Sequence, residues 1–267
     1  MDSKQAHLRQ ALSTMDSPLV AFSGGVDSTL LMKLVHDLQG ERSAAAIAIS
    51  PTLPEHELEE ARQIAHQQGW KLIELETGEM DLAAFRANTP RRCYFCKEHR
   101  YRQLNDYAAE HGYSVVLDGS NQDDLGDYRP GQQASREQGI RSPLQEAGFT
   151  KAEIRELARE LDLPNWDKPS SACLASRIPY GTPLSVELLD QVGQAENALA
   201  VLGLKQFRVR YHGPVARIEV PEGDFDLVFK HKDRIIQSLQ EIGFNFITLD
   251  LEGFRSGSMN KGIEQDG

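Results

Sequence analysis

The sequence predicts an α/β protein with a doubly wound parallel sheet, followed by a small C-terminal α+β region. Four short, almost continuous apolar runs alternate with helical patterns from residue 18 to about residue 162. Such runs are typical of strands that are buried on both faces of a sheet. Strands that alternate with helices form a parallel sheet, and ligands bind beyond the carboxyl ends of its strands.

Each element of the sheet region has its own signal. The strand candidates are PLVAFS (18–23), SAAAIAIS (43–50), WKLIELE (70–76) and YSVVLDGS (113–120). A helix after the first strand is indicated by one apolar face, formed by Leu30, Leu31, Leu34, Val35 and Leu38. Capping boxes predict two more helix starts, one at Thr52 and Glu55 with an end near Gly69, the other at Thr150 and Glu153.

The pattern changes after Leu163. The segment PNWDKPSSACLASRIPYGTP has four prolines and no periodicity, which predicts a long ordered loop with a functional role. Beyond it we expect a helix from Ser185, strands in QFRVRYH and VARIEV, a helix near 224–240 and a strand in NFITLDLEG. The predicted domains are a nucleotide-binding domain (1–165), a cysteine-bearing active-site loop (166–184) and a small α+β domain (185–267) for substrate binding or oligomerisation.

Composition narrows the class of protein. The chain has 267 residues, a net charge of -11 and a pI near 5.2, which argues against a nucleic-acid partner. No apolar run approaches the ~18 residues of a membrane span, and the polar start MDSKQAHLRQAL does not match a signal peptide. We therefore expect a cytoplasmic protein with no membrane partner.

The stretch LVAFSGGVDSTLL predicts a phosphate-binding loop. Ser23, Gly24 and Gly25 make a turn between a buried strand and a helix that starts around Val26 to Ser28. Glycines let the backbone approach a ligand closely, and free N–H groups at a helix start face an anion. Ser28 adds a hydroxyl donor, and Asp27 can hold Mg²⁺ beside the phosphates. Because no Gly-Lys-Ser/Thr follows, this is not a Walker loop.

The loop SGGVDS resembles the PP-loop of N-type ATP pyrophosphatases. The rest of the chain is similar to the LarE family of ATP-dependent sulfur transferases. The segments that carry this similarity are, in order along the chain, TPRRCYFCK, DGSNQDDLGDYRPG, IRSPL, PSSACLASRIPYG and GFRSGSMNK. The resemblance implies that ATP adenylates a carboxylate of a pyridinium dicarboxylate mononucleotide. Sulfur transfer then gives a thiocarboxylate for a nickel-pincer cofactor. It also implies a homo-oligomer, with Glu196 and Asp226 at a subunit-interface cation.

The cysteines depart from the single-cysteine form of this family, in which Cys173 would give up its own sulfur. Cys93 and Cys96 form a CxxC clip, and only Cys173 completes the set of three. Three thiolates can hold a 4Fe–4S cluster and leave its fourth iron open to sulfide from an external donor. A Cys₃His zinc site with His99 and a metal-free set of core cysteines are the alternatives.

The remaining site candidates lie near predicted strand ends. For ATP we expect contacts from Ser50 and Asp123 as well as the loop, with Asp124 and Asp127 at the rim. Arg177 follows Cys173 by four residues and can stabilise a thiolate or the adenylate phosphate, or form a surface salt bridge. Arg208 and Arg210 share one strand face and can clamp the mononucleotide phosphate, or form an exposed polar face.

Two other functions fit some of these features. A tRNA thiolase would use the same ATP chemistry, and the basic, aromatic RRCYFCKEHRYR can contact RNA. Retardation of tRNA on a gel would support that function. A non-catalytic ATP- or AMP-binding sensor would release no pyrophosphate when ATP and substrate are added.

Overall fold

The computed structural model describes residues 2–126 and 130–255. The chain forms two compact units. Within the described ranges, the N-terminal unit contains residues 2–50, 56–85, 90–126 and 130–170, and the C-terminal unit contains residues 51–55, 86–89 and 171–255. Across the described ranges, no helix has the length and apolar character needed to cross a membrane.

A four-stranded parallel sheet forms the centre of the N-terminal unit. Its strands are β1 (Pro18–Ala21), β2 (Ala44–Ile49), β3 (Leu72–Glu76) and β4 (Val115–Leu117), in the order β3-β2-β1-β4. Every neighbouring pair is parallel, which confirms the predicted doubly wound sheet. The order reverses between β1 and β4, so the crevice for a ligand lies at the carboxyl ends of these two strands.

Helices surround this sheet because their apolar faces must be buried against it. They are α1 (Asp2–Ser13), α2 (Val26–Gln39), α3 (Glu55–Gln67), α4 (Ala83–Arg86), α5 (Arg92–His111), α6 (Pro130–Glu137), α7 (Pro143–Glu146) and α8 (Lys151–Glu160). The predicted start of α2 at Val26 and the Thr150–Glu153 capping box of α8 are confirmed.

The predicted capping box at Thr52 is wrong. Helix α3 begins at Glu55, directly after Pro54, because a residue that precedes a proline is disfavoured in helical conformation. The carbonyl of Thr52 instead accepts the N–H of Leu174 at 2.8 Å within the C-terminal unit.

The C-terminal unit is a small α+β unit. Its sheet has the order β5-β6-β7, with β5 (Arg208–His212) antiparallel to β6 (Val215–Glu219) and β7 (Phe246–Leu249) parallel to β6. Its helices are α9 (Val186–Ala200), α10 (Phe225–Lys230) and α11 (Lys232–Glu241). Ser185 caps α9 as predicted, whereas the single helix predicted near 224–240 is two helices that meet at His231.

Candidate active site

The PP-loop occupies the switch point of the parallel sheet. Gly24 has φ +70°, the left-handed region that favours glycine, and a Cβ atom there would lie 3.0 Å from the Cβ of Ala61. Gly25 has φ -80° and ψ 159°, an extended conformation that other residues also adopt. Gly24 alone supplies the unusual backbone geometry of the turn.

A third glycine closes the loop from the other side. Gly119 follows β4, and a Cβ atom there would lie 2.8 Å from the backbone nitrogen of Ser28 in the first turn of α2. Any larger residue would therefore push β4 away from the start of α2. The sequence signal was a glycine near the end of the strand candidate YSVVLDGS, which we did not assign to the site.

The two serines of the loop hold each other in place. The Ser23 N–H donates to Ser28 Oγ at 3.2 Å, and the Ser28 hydroxyl donates to the Gly25 carbonyl at 3.0 Å. Ser28 is buried whereas Ser23 is exposed. Ser28 therefore shapes the loop from within, while Ser23 faces outward where a ligand can reach it.

Asp27 lies in the first turn of α2 and pairs with a lysine from α8. Lys151 Nζ lies 2.6 Å from Asp27 Oδ2, while Asp27 Oδ1 is buried without a hydrogen-bond partner among the described residues. Burial raises the pKa of Asp27 above its usual value, and the charge and hydrogen bond of Lys151 offset only part of this effect. The carboxylate is thus held in an unfavourable environment with one acceptor atom unused.

Asn165 ties the predicted proline-rich loop to the PP-loop. Its Nδ2 donates to the Gly24 carbonyl and to Thr29 Oγ1, both at 2.9 Å, and its side chain is buried. These bonds hold the Gly24 peptide in its left-handed conformation. Sequence reasoning missed this role, because an asparagine in a loop carries no signal for a contact 141 residues away.

The other residues predicted to contact ATP or to lie at the rim of its site, Asp123, Asp124 and Ser50, each form hydrogen bonds within the protein. The Asp123 carboxylate accepts the backbone N–H of Lys151 at 2.8 Å, and Asp124 accepts the N–H of Asn121 at 2.9 Å. Ser50 follows β2 and receives a hydrogen bond from Arg100 at 3.0 Å. Arg100 also forms an ion pair with the buried Glu79. Asp127 lies outside the described residues.

The CxxC clip begins the long helix α5. Cys93 lies in its first turn and is exposed, and Cys96 is half-buried at the start of the second turn. Their spacing of three residues puts them on one helix face. Two aromatic rings lie between them, and the guanidinium of Arg91 stacks over both at 5.1 and 5.5 Å. None of the three cysteines forms a disulfide.

No metal site is preassembled within the ranges that the structure describes. There, no three His, Cys, Asp or Glu side chains come together in a group that could hold a metal ion. The CxxC clip with His99 belongs to the N-terminal unit and Cys173 to the C-terminal unit.

The loop that carries Cys173 is ordered by a buried asparagine. Asn88 Nδ2 donates to the carbonyls of Pro179 and Thr182, both at 2.8 Å, and its own carbonyl accepts the N–H of Gly181 at 3.0 Å. Cys173 itself is half-buried and precedes a short 3₁₀ turn from Leu174 to Arg177. The predicted long loop is therefore fixed by specific hydrogen bonds.

Arg177 and Glu196 are buried inside the C-terminal unit. The Arg177 guanidinium donates to both carboxylate oxygens of Glu196, at 2.8 and 2.9 Å, and to the Ala172 carbonyl at 2.7 Å. The same carboxylate accepts the N–H of Val209 at 3.0 Å. The surface salt bridge considered for Arg177 from sequence is therefore wrong, because both partners are buried. Asp226, by contrast, is exposed on α10.

Arg208 and Arg210 share one face of β5 but have different partners. Arg210 is 1% exposed, and it donates to Glu219 at 2.9 and 3.0 Å and to the Ser176 carbonyl at 2.8 Å. Among the described residues, Arg208 has no carboxylate or carbonyl partner, and its guanidinium lies 4.6 Å from the centre of the Phe254 ring. The exposed polar face considered from sequence is therefore wrong.

The surroundings of Arg208 disfavour its charge. Burial, together with the positive charges of Arg177 and Arg210, lowers the pKa of Arg208 to about 10. It remains protonated at neutral pH, with guanidinium donors that no acceptor of the described chain engages. An anion would relieve this unfavourable charge, so the strand face can bind a phosphate.

Comparisons with known proteins match both units. Residues 2–128 fit the family model described as a PP-loop domain. Over 262 residues, 97% of this chain, it is 44% identical to the pyridinium-3,5-bisthiocarboxylic acid mononucleotide synthase of Lactiplantibacillus plantarum, with 94% of that protein covered. An uncharacterized protein of Synechocystis is also 44% identical, over 98% of each chain. A Methanocaldococcus jannaschii relative is 31% identical, over 89% of this chain and 90% of its own.

Proposed function

Since this chain belongs to the LarE family of PP-loop sulfur transferases, we propose that it converts a carboxylate of a pyridinium-3,5-dicarboxylate mononucleotide to a thiocarboxylate, using ATP. It is an ATP-using enzyme of the pyrophosphatase type. The observation that carries the proposal is the match to a synthase of that name along nearly the whole chain, with the PP-loop at the switch point of the sheet.

The chemistry begins with activation of the carboxylate. A carboxylate is a poor acyl donor because its leaving group would be oxide. Attack of its oxygen on the α-phosphorus of ATP breaks the bond to the bridging oxygen, and pyrophosphate leaves. The acyl-adenylate that results has AMP as its leaving group. The N–H groups around Gly24 and Gly25, at the N-terminus of α2, would stabilise the departing anion.

Mg²⁺ fits this site. Asp27 Oδ1 is a buried oxygen without a partner among the described residues, and carboxylate oxygens are the ligands that Mg²⁺ prefers. Asp27 would hold the ion, which neutralises phosphate charge when bound. In this role the raised pKa of the Asp27 carboxyl returns towards its usual value, because a cation favours the ionised form.

Sulfur enters in the second half of the reaction. A sulfide nucleophile attacks the acyl carbon, the bond to the adenylate oxygen breaks, and AMP leaves. We propose that Cys93, Cys96 and Cys173 are ligands of a 4Fe–4S cluster, which would supply a renewable binding site for sulfide. Two cysteines on one face of α5 and a third directly before the 3₁₀ turn at Leu174, none of them in a disulfide, support this proposal.

Arg208 is the residue that we assign to the phosphate of the mononucleotide. It is the arginine of β5 that has no acceptor among the described residues, and a phosphate would offset its buried charge. Arg210 acts differently, because Glu219 and the Ser176 carbonyl already engage its guanidinium. We propose that Arg210 positions β5 beside the Cys173 loop and does not contact the substrate.

The function is tested with purified protein, ATP, Mg²⁺, sulfide and the dicarboxylate mononucleotide. We expect release of AMP and pyrophosphate together with a product in which sulfur replaces one carboxylate oxygen, detected by mass spectrometry. Pyrophosphate release without a sulfur-containing product would contradict sulfur transfer. Product formation with tRNA in place of the mononucleotide would assign the chain to tRNA thiolation instead.

The route of sulfur is tested separately. Anaerobically purified protein should contain about four irons per chain, and Cys93→Ala, Cys96→Ala and Cys173→Ala should each remove them. The intact mass of the polypeptide should not change after turnover with sulfide. Loss of the elements of one H₂S at Cys173, in active metal-free protein, would show instead that the cysteine gives up its own sulfur and becomes dehydroalanine.

A further inference from the structure

Lys151 has no role in the chemistry described so far, although it contacts the PP-loop. It is the first residue of α8, directly after the capping residue Thr150. Its Nζ lies 2.6 Å from Asp27 Oδ2, and its backbone N–H donates to Asp123 at 2.8 Å. The start of α8 therefore brings an ammonium group to the phosphate-binding loop from a segment that is remote in sequence.

The charges around Asp27 show why this ammonium matters. Asp27 is partly buried, and the negative charge of Asp124 adds to the effect of burial on its carboxylate. Lys151 supplies the nearest positive charge, and Arg155, one turn further along α8, supplies a second at longer range. Without Lys151, a phosphate that approaches the loop would meet an Asp27 carboxylate that has lost the ammonium in contact with it.

We propose that Lys151 is a pyrophosphate-binding residue of the PP-loop site. In the ligand-free protein its ammonium neutralises Asp27. When ATP binds, phosphate oxygens carry more negative charge than one carboxylate and attract the ammonium, while a divalent cation takes its place at Asp27. A lysine suits this exchange because its donors sit on a flexible stem.

The same contact would act during the reaction. Breaking the bond between the α-phosphorus and its bridging oxygen leaves additional negative charge on pyrophosphate. An ammonium beside that group stabilises the charge, as positive side chains do at other phosphoryl-transfer sites. The proposal rests on ATP use by the PP-loop and not on the identity of the carboxylate substrate, so a failure to transfer sulfur would leave it standing.

The test is calorimetric titration of the purified full chain with inorganic pyrophosphate, with and without Mg²⁺ and without any carboxylate substrate. Lys151→Met should weaken binding at least about tenfold, the usual effect of losing a charge-assisted contact. Lys151→Arg should retain most of the affinity. The matched control is Lys4→Met, because Lys4 pairs with Glu153 at 2.7 Å in the same turn of α8 and does not contact the loop.

A second pair of variants separates direct binding from mere neutralisation of Asp27. If Lys151 only balances the Asp27 charge, Lys151→Met should have no effect once Asp27→Asn has removed that charge. If Lys151 contacts pyrophosphate, the loss of about tenfold should persist in the Asp27→Asn background. Equal affinity of Asp27→Asn and the double variant would overturn the proposal, and the double variant also serves if Lys151→Met alone fails to fold.

Discussion

Arg177 and Glu196 form a bidentate ion pair inside the C-terminal unit, with side chains only 4% and 1% exposed. The pair joins the 3₁₀ turn after Cys173 to helix α9, and through Val209 to the strand that carries Arg208. It also fixes the carbonyl of Ala172, which precedes the cysteine. Glu196 is therefore a positioning residue for both the cysteine loop and the arginine strand.

Removing one partner of this pair should destabilise the protein strongly. Glu196→Ala leaves a buried guanidinium without its carboxylate, which typically costs about 3–5 kcal/mol. Urea denaturation should show this loss in the free energy of unfolding, while Asp190→Ala, on an exposed position of the same helix, should change it by less than about 0.5 kcal/mol. A Glu196→Ala protein of normal stability would mean that the pair is not formed in solution.

Gly24→Ala should damage the PP-loop for two separable reasons. A residue other than glycine at φ +70° costs about 1–2 kcal/mol, and the added Cβ atom would also press on Ala61. Gly69→Ala is the matched control, because Gly69 has φ +68° and nothing within 4 Å of an added Cβ atom. We expect Gly24→Ala to lose more stability than Gly69→Ala in thermal unfolding, and to lose ATP-dependent pyrophosphate release.

Asp27→Asn should abolish pyrophosphate release without a loss of stability. Because burial raises the pKa of Asp27, the ionised carboxylate is unfavourable in the folded protein. Below the usual pKa of 3.8, Asp27 is protonated in both states and does not reduce the stability of the fold. The destabilisation by its ionised form becomes complete as pH rises through the raised pKa of the folded state. The melting temperature of the variant relative to wild type should therefore rise between pH 4 and pH 7, and an unchanged difference would contradict the raised pKa.

Arg208→Met should weaken binding of the mononucleotide and stabilise the ligand-free protein against unfolding. A fall of the pKa from 12.5 to about 10 corresponds to an upper limit of about 3 kcal/mol of unfavourable free energy for the charged form. The pKa of Arg208 is lower in the folded protein than in the unfolded chain. The wild type should therefore recover the stability lost to the buried charge of Arg208 as pH rises through about 10 and this side chain loses its proton. The stability gap between variant and wild type should narrow there.

Arg210→Met is the contrasting variant on the same strand face. It removes the guanidinium that donates twice to the buried Glu219 carboxylate, so unfolding should become easier by about 3–5 kcal/mol. Calorimetry with the mononucleotide and urea denaturation together distinguish the two arginines. Equal effects of both substitutions on binding and stability would show that the division of roles between them is wrong.

The sequence alone determined the features that arise from local patterns. Continuous apolar runs predicted the parallel strands, the Thr150–Glu153 spacing predicted the start of α8, and SGGVDS predicted the phosphate loop. These succeed because burial on both faces, helix capping and tight turns depend on residues close together in the chain. The Thr52 capping box failed because Pro54 sets a local restriction that outweighs the pattern.

Only the tertiary structure decided which charges meet. Lys151 pairs with Asp27 across 124 residues, and Glu196 and Glu219 lie buried opposite arginines that looked exposed in sequence. On a strand, two alternating arginines share a face whatever that face contacts, so their burial and partners depend on the elements packed above them. Because the free energy of a charge depends on solvent exposure and on neighbours remote in sequence, it is fixed only when the chain has folded.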